Sequence, residues 1–120
     1  PNIDFLSLHC PGGEEHRDLI GSEELKLMKK ESILINTARG EVVNDNALIY
    51  ALKNKIINAA GLDVYNGEPN LNKDYLDCNN AILLPHLGSA TNETREAMGF
   101  RVIKNLNEFF SGKVPVDKIS

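Results

Sequence analysis

Four short apolar runs alternate along this chain with segments of helical periodicity. The runs are Ile3-Asp4-Phe5-Leu6-Ser7-Leu8, Ser32-Ile33-Leu34-Ile35-Asn36, residues 57–64 and Ala81-Ile82-Leu83-Leu84. Runs this short, bounded by polar or turn-forming residues, read as strands. Helices between consecutive strands imply parallel pairing, because antiparallel neighbours need only a tight turn. The pattern therefore predicts parallel βαβ units with right-handed crossovers. The expected class is α/β, with the topology of half a doubly wound sheet. In such sheets ligands bind outside the carboxyl ends of the strands.

The helical segments carry their own punctuation. Ser22-Glu23-Glu24-Leu25 predicts a helix start, with Ser22 as the cap and two acids at the positive end of the dipole. Leu25 and Met28, with Leu27 beside them, are its expected buried face. Asn44-Asp45 predicts a second helix to about residue 54, in which Ala47, Leu48, Ala51 and Leu52 recur at helical spacing. Residues 66–80 are polar, with a short helix expected around residues 73–76. A last, long helix is expected from Thr91 to about residue 110, with Met98, Val102, Leu106 and Phe109 on one apolar stripe beside Ile103 and Phe110. Gly112 is its expected C-cap, and Pro115 bars further helix. Gly61, inside a strand, predicts the close approach of a neighbouring element.

Composition narrows the function classes. Of 120 residues 42% are apolar, enough for one core. The net charge of −4 and the scattered basic residues argue against nucleic acid as a partner. No apolar run approaches the roughly 20 residues of a membrane span, and no signal-peptide pattern is visible. Cys10 and Cys78 stand far apart and are expected as reduced thiols in a cytoplasmic protein. His9, Cys10, His16 and Cys78 lack metal-ligand spacing, so no metal is expected. A chain that opens on Pro1 and reaches a strand almost at once is expected to be the later part of a longer protein.

The residues after each run can assemble an acid–base site. Arg39 follows the second run in Asn36-Thr37-Ala38-Arg39-Gly40, and its planar fork suits a carboxylate. That strand is expected to be buried on both faces. Asp63 lies near the end of an apolar run and needs a partner, either a backbone N–H, a helix end or a ligand amide. His86 leaves the fourth run behind Pro85. Glu68, in the Gly67-Glu68-Pro69 turn, is placed by topology to reach it. A carboxylate beside an imidazole orients it and favours its charged form, which makes a general acid. His9 is expected only to pack at a strand end, and His16, in a polar loop, to be solvated.

Read together, LHCP at residues 8–11, LINTARGEVV at 34–43, AGLDVYNGEP at 60–69 and LLPHLGSAT at 83–91 resemble the D-isomer-specific 2-hydroxyacid dehydrogenases. Within that family they look most like the glyoxylate/hydroxypyruvate reductases. The resemblance implies a Rossmann-type fold, an NAD(H) or NADP(H) cofactor and a small 2-keto or 2-hydroxy acid substrate. It also implies no membrane or nucleic-acid partner and a homodimer at full length. Arg39 would bind the substrate carboxylate, His86 would pass the proton and Glu68 would pair with it. Cys10, Pro11, Thr37, Ala38, Arg39, Asp63, His86 and Gly88 would face the cofactor. Gly13 and His16 stand where many relatives carry threonines. The Gly-x-Gly-x-x-Gly phosphate turn is absent from this sequence, as is a separate substrate domain. Residues 1–120 are thus expected to be the C-terminal half of the cofactor domain. The rival expectation is a dinucleotide-sensing co-repressor on the same fold. A hydrolase using His86 and Glu68 lacks a Gly-x-Ser-x-Gly elbow.

Overall fold

The computed structural model describes residues 2–119 as two compact units, one reaching to His86 and the other starting at Leu87. The first unit is a single four-stranded sheet in the order β1 (Phe5–Leu8), β2 (Ile33–Asn36), β3 (Ala59–Leu62), β4 (Ala81–Leu83), every pair parallel. Sequence order equals spatial order, as expected of half a doubly wound sheet. β1 and β2 are joined through α1 (Ser22–Leu27), and β2 and β3 through α2 (Asp45–Lys53). A short 3₁₀ turn at Lys73–Asp77 fills the link to β4.

β3 is shorter than its apolar run because pairing sets its length. The four residues of β2 find partners only from Ala59 to Leu62. Leu8, Asn36, Leu62 and Leu83 lie side by side in one row of the sheet, on the same face as Leu34 and Ala60. That face is covered: Leu25, Leu34, Leu48, Leu52, Ile57 and Val42 are all almost fully buried. Each such leucine contributes about 2 kcal/mol relative to exposure. The opposite face is open. Phe5 is 63% and Ile82 69% exposed, and Ile33 and Ile35 are only half-buried. The expectation that β2 is buried on both faces is therefore corrected, since both helices lie on one side.

Local chemistry departs from expectation in three further places. Helix α1 begins at Ser22, one residue after the true N-cap, Gly21. Its cap comes from Glu24, whose carboxylate accepts from the Gly21 N–H at 3.0 Å. Leu27 is exposed, so Leu25 and the half-buried Met28 carry that helix's contact alone. A Cβ on Gly61 would meet nothing within 4 Å: that glycine is on the face of the sheet away from α1 and α2, and no element of the first unit packs on it. Helix α2 behaves as its sequence says, with the Asn44 side chain accepting from the Ala47 N–H at 2.9 Å.

The second unit is α3 (Asn92–Phe110) with a folded-back tail. Thr91 caps its start, accepting from the Thr94 N–H at 3.2 Å. Gly112 sits one residue beyond the cap, Ser111, at φ +72°. There the Gly112 and Lys113 N–H groups close onto the carbonyls of Phe109 and Glu108 at 3.0 and 2.9 Å, a left-handed stop that favours glycine. No residue of α3 is buried, so its apolar stripe is presented rather than packed. The Arg101 fork, with Asn105, holds Asp117 against the helix at 2.6–2.7 Å.

Candidate active site

The strands deliver two groups of side chains to their carboxyl ends. Beyond β3 and β4, His86 Nδ1 and Glu68 Oε2 stand 2.7 Å apart. Glu68 Oε1 accepts from the Tyr65 N–H at 2.8 Å, so both carboxylate oxygens are engaged and the acid cannot swing away. The Tyr65 hydroxyl lies 2.8 Å from the Leu84 carbonyl and 3.1 Å from that of Leu62. One phenol therefore ties together the ends of the two strands that carry the pair. His86 has φ +56°, a conformation uncommon outside glycine and of the kind found at functional sites. Partial burial pushes the Glu68 carboxyl up, but the hydrogen bonds from His86 and the Tyr65 N–H outweigh it. The net result lies below the usual carboxylate range. An apolar cleft of about 600 Å³ opens beside the pair, walled by Tyr65, Leu71, Leu76 and Leu83.

A second cleft, of about 480 Å³, lies beyond the carboxyl ends of β1 and β2. It is lined by His9, Cys10, Pro11, Gly12, Thr37, Ala38 and Arg39. The residues predicted to face the cofactor from these two strands are thus brought to one hollow. The Arg39 Nη1 donates to the Ala38 carbonyl at 2.7 Å. Among the described residues, no carboxylate lies within ion-pair distance of its guanidinium. The loop is held from several sides. The buried Asn36 carboxamide accepts from the Ala38 N–H and donates to the Arg39 carbonyl, both at 3.0 Å. Glu41 Oε1 accepts from the Gly13 N–H at 3.2 Å, tying this loop to the one after β1. Gly40 touches the Tyr65–Asn66 backbone so closely that a Cβ would overlap the Tyr65 carbonyl. Glycine is required there by this approach, and the contact joins the Arg39 loop to the turn that carries Glu68.

Asp63 is 7% exposed. Its N–H donates to the Asn36 carbonyl at 3.0 Å, which carries the ladder one residue past β3. His9 Nε2 lies 2.8 Å from the Ser7 hydroxyl and lines the second cleft. His16 is not solvated as expected. It is half-buried, with Nδ1 3.5 Å from Glu15 Oε1. Gly88 belongs to the second unit. Cys10 and Cys78 are both unpaired thiols, and no cluster among the described residues could hold a metal. No described helix is long and apolar enough to cross a membrane. Sequence reasoning missed Asn36 and Tyr65. The one reads as an ordinary strand end and the other as part of a turn.

Residues 1–88 match the family model for the D-isomer specific 2-hydroxyacid dehydrogenase, NAD binding domain. The chain belongs to that family. A glyoxylate reductase of Thermococcus litoralis is 50% identical over 117 residues, covering 98% of this chain and 35% of the relative. A glyoxylate/hydroxypyruvate reductase B of Enterobacter agglomerans is 47% identical over 112 residues, covering 92% and 35%. Among solved structures, the NADPH-dependent glyoxylate/hydroxypyruvate reductase of Sinorhizobium meliloti, in complex with NADP and malonate, matches with a TM-score of 0.87. It is 38% identical, over 91% of this chain and 34% of that one. D-lactate dehydrogenase with NAD+ from Lactobacillus jensenii also matches at 0.87, at 30% identity over 98% and 39%. The chain thus spans about a third of the length of the curated dehydrogenases it matches.

Proposed function

We propose that the enzyme containing this chain reduces a small 2-keto acid, glyoxylate or hydroxypyruvate, to the D-2-hydroxy acid with NADH or NADPH. The observation that carries this reading is the Glu68–His86 pair, at 2.7 Å, on the same sheet edge as an arginine with no acidic partner among the described residues. The hollow beyond the carboxyl ends of β1 and β2 fits a nicotinamide. Its volume of about 480 Å³ is within the range of small-molecule sites. Cys10, Pro11, Thr37 and Ala38 would hold that ring and Asp63 would accept from its carboxamide. When bound, the cofactor supplies the hydride.

The chain's own residues do the rest. Arg39 binds the substrate carboxylate and offsets negative charge growing on the keto oxygen. His86 engages Glu68 through Nδ1, which leaves Nε2 as the atom that delivers the proton. Glu68 fixes the ring's orientation and balances its positive charge. His86→Ala in the intact enzyme is expected to lower turnover by roughly 10²–10⁴-fold, followed as NAD(P)H oxidation with a panel of keto acids. Turnover near that of the unaltered enzyme would refute the proton role.

A further inference from the structure

We propose that Asn36 is the positioning residue of the substrate-binding loop: its buried carboxamide sets where the Arg39 guanidinium stands. The inference rests on the reading of Arg39 as the carboxylate anchor. Asn36 ends β2, is 1% exposed, and has Leu8 and Leu62 as its neighbours across the sheet. A carboxamide in such apolar company is costly unless its polar atoms are matched. Both are matched by the loop itself, at 3.0 Å each, through the Ala38 N–H and the Arg39 carbonyl. The arrangement has only one sense. Ala38 offers a donor and Arg39 an acceptor, so a flipped amide would set donor against donor and acceptor against acceptor.

Strand and loop therefore lock each other, and the lock reaches the functional group. The Ala38 carbonyl, on the residue whose N–H Asn36 holds, is also the group that receives the Arg39 Nη1 at 2.7 Å. Moving Ala38 moves the support of the guanidinium. A leucine or valine would suit the strand and its neighbours better, but neither could accept from one loop residue and donate to the next.

Ser32, the residue just before β2, is the matched control. It is equally buried and polar, and its hydroxyl donates to the Lys29 carbonyl at 2.6 Å, away from either cleft. In the intact enzyme, Asn36→Ala is expected to raise the keto-acid KM about tenfold or more, with a smaller fall in kcat. Asn36→Asp keeps the acceptor for Ala38 and loses the donor to Arg39, and is expected to give an intermediate rise. Ser32→Ala should lower the melting temperature and leave the keto-acid KM within about twofold of the unaltered enzyme. A keto-acid KM unchanged in Asn36→Ala, or raised as much by Ser32→Ala, overturns the proposal. Should the Asn36 variants not fold, hydrogen exchange in the unaltered protein decides. The Ala38 amide should be protected like the amides of β2, and exchange at the rate of an open loop overturns the proposal. An unaltered enzyme that reduces no 2-keto acid would defeat the functional reading instead, while Ala38 exchange still tests the lock.

Discussion

Glu68 is held by two different groups, and they can be separated chemically. The His86 imidazole supplies charge and geometry, while the Tyr65 N–H supplies geometry alone. Because the Glu68 carboxyl lies below its ordinary value, it is charged throughout the neutral and weakly acidic range. The stability it contributes is present above the ordinary carboxylate value and is lost as pH falls through its depressed one. Glu68→Gln removes the charge and turns one of the two acceptor oxygens into a donor, while the other oxygen can still accept. In the intact enzyme, keto-acid reduction needs a protonated donor, so the variant is expected to lose its alkaline range first. Its rate should be reduced about tenfold there and less at acid pH. A pH–rate profile that keeps its shape would show that the charge on Glu68 does not act on His86. This pair was legible in the sequence because each partner follows a strand in a turn whose direction the topology dictates. Asn36 was not. Its meaning depends on the loop folding back within three residues, and no periodicity records that.

Between elements, contacts of backbone with backbone do what side chains cannot. The Arg39 loop and the Glu68 turn meet at Gly40, where an added Cβ would overlap the Tyr65 carbonyl and the Asn66 nitrogen. Neither can swing aside as a flexible side chain would. Gly40→Ala is accordingly expected to cost about 2–4 kcal/mol, read as a lower urea midpoint. Gly61→Ala, which meets open space, should cost less than about 1 kcal/mol in this chain. Only the fold distinguishes these two glycines, since both stand in or just after an apolar run. The tail of the second unit offers a test by pH. The Arg101 guanidinium and Asn105 lower the Asp117 carboxyl from 3.8 to about 2. A depressed acid holds its partners above its ordinary value and releases them as pH falls toward the depressed one. The tail should therefore stay on α3 at neutral pH and detach between about 4 and about 2, seen as collapse of the Val116 and Asp117 amide shifts toward random-coil values. Shifts unchanged to below about 2 would mean the ion pair does not hold the tail.

At the scale of the whole molecule, a one-sided sheet explains both what the sequence revealed and what the chain alone should do. The strands were readable because each is a short apolar run bounded by polar or turn-forming residues, with helical periodicity in between. The open face was not readable, since Ile33 and Ile35 look no different from Leu34 until one knows that both helices lie on the same side. With Phe5 63% and Ile82 69% exposed there, the 120-residue chain by itself is expected to self-associate, measurable by sedimentation velocity. It is also expected to show no dehydrogenase activity. The side chains of His86 and Glu68 are 48% and 33% exposed, so water that hydride transfer must exclude reaches the pair freely. A pyrophosphate needs backbone N–H groups of a glycine-rich turn at a helix start, and this sequence has no Gly-x-Gly-x-x-Gly. Purified chain mixed with NADH and glyoxylate should leave the nicotinamide absorbance band unchanged. Steady oxidation that vanishes in His86→Ala would instead mean that about a third of a dehydrogenase's length is enough for catalysis. In that case the wet, one-sided site would be the working one.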